Sequence, residues 1–264
     1  MKHLLILFLL ISLGCLIPAQ PRADELVTIE LPAPTTEIKL PEGWTRRQFI
    51  DTFMWIWATT PKGLFENRWM GVPTHQNPFD AWVTQEILYE VRPDFVVECG
   101  TFMGGSAAMW AMLLQEINPK GRVITIDIKD QRTPLAKRWH AERKVDFLLG
   151  SSTSLKIVAE VSRRVKGKRV VVILDSDHSA EHVLNELRAY APLVNLGSYV
   201  IVQDGVINGH PLNTGTGPGP WEAVHEFMTE NAAFAIDRTR ERLLVTSNPD
   251  GFLKRIKRPV IAEK

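Results

Sequence analysis

The chain has 264 residues, 45% of them hydrophobic and 23% charged, which is enough apolar material to bury a core without disulfide or metal staples. With 31 Lys and Arg against 30 Asp and Glu, the formal net charge is +1. That balance argues against a nucleic-acid partner, because neutralising phosphates needs a concentrated basic face, and the one basic cluster, Lys254, Arg255, Lys257 and Arg258, reads as a solvated tail.

Lys2 and His3 precede an almost unbroken apolar run from Leu4 to Pro18. The run has the length of a signal h-region and is short for a bilayer span, so residues 1–19 read as a signal peptide or a membrane anchor, with Ala19 as a cleavage position. Cys15 follows Ser12-Leu13-Gly14, a loose lipoprotein-box spacing whose first residue should be aliphatic. Without this segment Cys99 is the only thiol, and no intramolecular disulfide is available to report an oxidising compartment. Residues 20–43 carry Pro21, Pro32, Pro34 and Pro41, too closely spaced for a stable helix, and read as a linker.

From residue 44 to 90 the pattern is helical, with Phe49, Phe53, Ile56 and Trp57 at three-and-four spacing. Gly71-Val72-Pro73 breaks it, and a second helix opens near Asn77-Pro78. The tryptophans 44, 55, 57, 69 and 82 read as packing residues. After Arg92-Pro93 short β-branched runs alternate with amphipathic stretches, the grammar of a parallel sheet with crossover helices and hence of an α/β domain over 44–264. The expected strands are 95–98, 123–127, 145–148, 170–175, 199–203 and 243–246. The expected helices are 105–116, 134–142, 154–165, 178–193 and 221–230.

The first of these strands ends in Glu98-Cys99-Gly100-Thr101 and runs through Gly104-Gly105-Ser106 into a helix. Such a glycine turn admits close backbone approach to a ligand. The dinucleotide pattern G-x-G-x-x-G is not met, since position 102 is Phe. A carboxylate in the turn sits badly beside a pyrophosphate but can accept hydrogen bonds from an ammonium or hydroxyl, as the amino-acid moiety of S-adenosylmethionine offers. The second strand ends in Asp127, where a Rossmann-like fold grips ribose hydroxyls. Singly, Glu98 reads as a loop ion pair, Asp127 as a helix cap and the glycines as a tight turn; in this order they point to a cofactor site. Gly150-Ser151-Ser152 reads either as an adenine contact or as a helix cap. The tips of the fourth and fifth strands carry Asp175-Ser176-Asp177-His178 and Gln203-Asp204, oxygen donors on neighbouring central strands, where a hard cation would sit.

Trp69-Met70-Gly71-Val72-Pro73, Glu98 to Ser106, Ile124 to Ile128, Leu174 to Ser179, Asn208-Gly209-His210-Pro211, Gly217 to Pro220 and Asn248 to Arg255 together resemble the cephalosporin hydroxylase and rhamnosyl O-methyltransferase family, over about residues 69–256. The resemblance implies a Rossmann-like, three-layer class I methyltransferase fold with an N-terminal helical extension. It implies S-adenosylmethionine, a magnesium ion, and methyl transfer to a hydroxyl of a small metabolite or sugar. On this reading Glu98, Gly100, Thr101, Gly104, Gly105, Ser106, Asp127, Ser151 and Asp175 bind cofactor, and Asp175, Gln203 and Asp204 face the metal. His178, three residues after the first metal-binding aspartate as in catechol-type and caffeoyl-type methyltransferases, acts as base, with Asp177 orienting it from behind or substituting as ligand. The chain departs from the resemblance at Gln203, where an acidic residue is expected, so metal affinity is expected to be weakened.

The loop 205–220, rich in glycine and proline, reads as a substrate lid, with His210 and Trp221 as acceptor contacts. Two other readings stand beside the methyltransferase one: the family's name implies an antibiotic-hydroxylation protein, for which no two-histidine-one-carboxylate spacing or flavin signature is present, and Gln203 motivates a cofactor-binding protein without turnover. The resemblance is compatible with a homo-oligomer, and the leader with membrane association. Location stays open, since the leader points to export and the cofactor to the cytoplasm.

Overall fold

The computed structural model describes residues 42–61, 63 and 66–257; the expected leader, nearly all of the linker and Arg258 lie outside them. Helix α1 (Arg46–Thr59) is started by a capping box, Thr45 with Gln48. A short hairpin follows, β1 (Arg68–Trp69) and β2 (Val72–Pro73), turning at Met70-Gly71. Helix α2 (Pro78–Val91) begins with Asn77 as N-cap and Pro78 in the first turn, and ends at Arg92 in the left-handed region, just before Pro93.

The rest of the described chain alternates strand and helix: β3 (Phe95–Cys99), α3 (Gly105–Ile117), β4 (Arg122–Asp127), α4 (Pro134–Glu142), β5 (Val145–Leu149), α5 (Leu155–Val165), β6 (Val170–Leu174), α6 (Ala180–Tyr190), β7 (Tyr199–Val202), α7 (Pro220–Glu230), β8 (Phe234–Ile236) and β9 (Phe252–Arg255). The strands form one seven-stranded sheet in the order β5-β4-β3-β6-β7-β9-β8. The first five are mutually parallel, and β9 runs antiparallel to both of its neighbours. The sheet is buried on both faces because residues alternate in direction along each strand. Val97, Val172 and Leu174 face α5, α6 and α7 with Ile157, Val161, Leu187 and Phe227. Val96, Val171, Ile173 and Ile201 face α2 and α3 with Ile87, Leu88, Trp110 and Leu114. The expected three-layer Rossmann-like architecture with a helical extension is therefore what the chain adopts.

Four local expectations change. Residues 243–246 form no strand: Leu244 sits at φ 71°, which breaks an extended run, and the Thr246 hydroxyl and Ser247 amide both donate to Asp80. The last strands are instead β8 and β9. In α1 the buried stripe is Ile50, Met54, Trp57 and Ala58, which pack on Val206 and Leu212, while Phe49, Phe53 and Ile56 are exposed. The helix is apolar on more than one side, so contacts from elsewhere in the chain chose the face. Trp44, Trp55 and Trp82 lie on the surface rather than in packing. Arg255 is not part of a solvated tail; it is buried on β9 and donates to the carbonyls of Ala191 and Val194. Among the described residues no helix is long and apolar enough to cross a membrane.

Candidate active site

The chain winds outward from β3 through β4 to β5, then returns to β6 on the other side of β3. At such a reversal the connections diverge and leave a crevice at the carboxyl ends of the strands. A cleft of about 740 Å³ opens there, lined from the β3, β4, β5 and β6 tips and roofed by Pro73, Thr74 and His75.

The turn after β3 forms one wall. Gly100 takes φ +97° and passes so close to β6 that a Cβ would lie 1.8 Å from the Asp175 carbonyl oxygen, so only glycine fits. Gly105 opens α3 against the hairpin, where a Cβ would lie 2.2 Å from the Pro73 carbonyl oxygen. Thr101 is buried and its hydroxyl shares a 2.7 Å hydrogen bond with Thr125. Asp127 shapes this turn from the neighbouring strand: its Oδ2 accepts from the amides of Thr101 (3.1 Å) and Phe102 (2.9 Å), and its Oδ1 from Lys129 (3.0 Å). Gly100, Thr101, Gly105, Ser106, Asp127 and Ser151 all line the cleft, whereas Gly104 anchors the wall, its carbonyl accepting from His140 Nε2 (2.9 Å).

Glu98 stands behind that wall and does not line the cleft. It is fully buried, accepting from Trp110 Nε1 (2.9 Å) and the Thr125 hydroxyl (2.6 Å). Burial pushes its carboxyl up to about 7 against those hydrogen bonds. Its part in the site is to tie α3 and β4 to the glycine turn.

The opposite wall carries the charged groups. Donor atoms of Asp175, His178 and Asp204 lie within 4.8 Å of one another, with His178 Nε2 3.5 Å from Asp204 Oδ2. Burial, and then the Asp204 charge, hold the Asp175 carboxyl well above the usual carboxylate range; burial also raises Asp204, with His178 and His75 pulling the other way. Two carboxylates converging in a half-buried cleft fit a divalent cation, and the imidazole beside Asp204 fits a base acting next to it. Gln203 is beside them but its Oε1 accepts from Gln76 Nε2 (2.8 Å), which also donates to Asp175 Oδ2 (3.0 Å). Asp177 is exposed and its Oδ1 accepts from the Ser179 amide (2.8 Å) at the start of α6; hydrogen bonding from the Ser179 hydroxyl and then its amide lowers its carboxyl. It is thus occupied as a turn residue next to His178.

Sequence reasoning did not find Gln76, Thr74 and His75, which belong to the N-terminal extension; the Pro73–Asn77 stretch has no motif of its own, and only the fold brings it to the β6 tip. Nor did it find the buried Glu186, which accepts from the hydroxyls of Ser152 and Ser176 (2.7 Å for the latter) and lies 3.3 Å from His182 Nε2, holding the β5 and β6 tips together. The Glu186 hydrogen bond raises the pKa of His182. His210 and Trp221 stack on each other at 4.7 Å, and His210 Nε2 pairs with Glu222 Oε1 (2.6 Å); His210 lines a second, smaller cavity beside α1 and neither residue lines the main cleft.

The profile of the family described as Rhamnosyl O-methyltransferase/CmcI matches residues 62–256. A rhamnosyl O-methyltransferase of Mycobacterium bovis (strain BCG / Pasteur 1173P2) is 39% identical over 192 residues, 71% of this chain and 77% of that protein. One from Mycobacterium leprae (strain TN) is 34% identical over 205 residues, 76% of this chain and 85% of that protein. Among solved structures, CmcI with Mg and SAM superposes with a TM-score of 0.55 at 19% identity, covering 84% of this chain and 89% of that one. The CmcI apo-structure gives 0.56 at 19%, covering 86% and 91%. With the fold, the cleft at the strand reversal and these relatives agreeing, the chain belongs to the Rhamnosyl O-methyltransferase/CmcI family and has its class I methyltransferase fold.

Proposed function

We propose that the protein is an S-adenosylmethionine-dependent O-methyltransferase that methylates a hydroxyl of a sugar or a similarly hydroxylated small molecule, assisted by magnesium. The observation that carries this reading is the convergence, on one cleft, of a ribose-type carboxylate on β4, the glycine turn after β3, and the Asp175–His178–Asp204 donor set on the far side. Asp175 and Asp204, with Gln203 at their side, would hold the dication, which would supply Lewis-acid activation of the acceptor hydroxyl, and the cofactor would supply a methyl group on a sulfonium able to leave as a neutral thioether. His178, on the cleft wall beside Asp204, takes the hydroxyl proton as the oxygen–carbon bond forms and the carbon–sulfur bond breaks.

Asp127 receives ribose hydroxyls, Gly100, Thr101, Gly104, Gly105 and Ser106 shape the wall for the amino-acid end, and Ser151 lies on the adenine side. Glu98 acts through the buried hydrogen bonds behind that wall. Asp177 keeps the loop before α6, and so His178, in place. Much of the rate comes from holding the acceptor oxygen in line with the methyl carbon.

The test is calorimetric titration of S-adenosylmethionine into the protein with and without magnesium, paired with transfer of labelled methyl to deoxysugar acceptors such as rhamnosides. Binding with turnover supports the reading; a folded protein that binds no S-adenosylmethionine overturns it. Residues 1–19 are read as the leader or anchor carrying this unit toward a membrane, which fractionation of the full chain against one starting at residue 20 tests.

A further inference from the structure

One corner of the proposed ion site is filled by two buried side-chain amides. Gln76 and Gln203 are each only 5% exposed. Gln76 reaches the site from the stretch after β2 and is fixed there on both sides: its main-chain carbonyl accepts from Asn67 Nδ2 (2.8 Å), and the next residue, Asn77, caps α2. From that position one nitrogen, Nε2, serves two acceptors, Asp175 Oδ2 at 3.0 Å and Gln203 Oε1 at 2.8 Å. A glutamine has a single oxygen with which to ligate a cation, and one of the two lone pairs on the Gln203 oxygen is taken by an N–H. One oxygen of Asp175 is shared in the same way.

We propose that Gln76 is a positioning residue for the cation: it keeps the Gln203 oxygen and one Asp175 oxygen engaged, so that the ion is held by the charge of two carboxylates and exchanges readily. The inference rests on the ion-assisted reading above. Two carboxylates neutralise a dication, leaving its remaining positions to water and acceptor oxygens. The acceptor and the ion then reinforce each other's binding, and linkage requires the effect to be reciprocal.

The experiment measures Mn²⁺ affinity on the full chain with S-adenosylmethionine present, by the electron paramagnetic resonance signal of free Mn²⁺, with Mg²⁺ as competitor. Gln76→Met keeps the length and removes the donor; it should tighten Mn²⁺ binding about threefold by freeing the two oxygens, and the gain should be smaller on a Gln203→Leu background, where only the Asp175 oxygen is left to free, the signature of a coupled pair. Gln203→Glu, which leaves Gln76 in place, should tighten binding about tenfold or more by adding a charge beside the ion. Thermal midpoints and S-adenosylmethionine affinity, measured without metal, report the fold and the cofactor reading separately. Weaker or unchanged Mn²⁺ binding in Gln76→Met at wild-type stability overturns the proposal. Should Gln76→Met not fold, unchanged binding in Gln203→Glu overturns it. If every variant binds S-adenosylmethionine and none binds Mn²⁺, ion assistance fails along with it; loss of S-adenosylmethionine binding in the wild type is the separate failure of the methyltransferase reading.

Discussion

Asp127→Asn separates two jobs that one carboxylate performs. Oδ2 is committed to the loop, accepting from the amides of Thr101 and Phe102, while Oδ1 accepts from the Lys129 amide, and the residue lines the cleft. An asparagine retains one oxygen, which the two loop amides will claim because an unsatisfied pair of amides costs more than one. Its nitrogen then meets the cleft, replacing an acceptor by a donor where ribose hydroxyls arrive. A hydrogen bond to a charged group contributes about 1.5–3 kcal/mol, so the S-adenosylmethionine Kd should rise roughly 10- to 150-fold with little change in thermal stability. Asp127→Ala also releases the two loop amides, and should weaken binding by a further order of magnitude or so and lower the melting midpoint. Calorimetric titration of S-adenosylmethionine and S-adenosylhomocysteine into all three proteins reads both effects, and a cofactor analogue lacking a ribose hydroxyl should lose much of its penalty in Asp127→Asn. Binding by Asp127→Asn within twofold of wild type would refute the argument: the carboxylate would then serve only the loop.

Three further outcomes follow from the same geometry. Gly100→Ala places a Cβ against the Asp175 carbonyl at φ +97°, so urea denaturation should show a loss of about 3 kcal/mol or more, together with lost cofactor binding; an unchanged midpoint would contradict the close approach. Glu98 keeps its proton to about pH 7 in the folded state and to about 4.5 when unfolded, so its ionisation opposes folding: stability is highest below about pH 4.5, falls as pH rises through about 7, and then levels, a change of about 3 kcal/mol. Glu98→Gln should remove that slope in unfolding measured at pH 5 and pH 8, leaving the similar slope from Asp80, which burial also raises to about 7; an unaltered slope would sink the assignment. His178→Asn should lower kcat by roughly 10²- to 10⁴-fold while S-adenosylmethionine affinity stays within twofold, and a kcat that holds would remove His178 from the chemistry.

The sequence by itself determined the sheet and its tips. Alternating β-branched runs with helices between them can bury both sheet faces in only a few ways, and functional residues in such a fold collect where the strands end. The places of Asp127, Asp175, His178 and Asp204 at the strand tips were therefore legible: Asp127 ends β4, Asp175 follows directly on β6, and His178 and Asp204 lie in the turns just beyond β6 and β7, strands whose period is plain. Tertiary structure decided what periodicity does not encode. It chose Ile50 and Met54 over Phe49 and Phe53 as the packed face of α1, because Val206 and Leu212, some 150 residues away, supply the other half of that contact. It turned 243–246 into a loop, because Asp80 on α2 satisfies the amide and hydroxyl that a strand would otherwise pair. It moved Glu98 behind the wall it helps to build, and brought Gln76 across 99 residues to Asp175. Local pattern fixes which way a backbone runs and which side chains alternate; which oxygen meets which nitrogen depends on elements distant in the chain, and that pairing exists only once the sheet has closed them together.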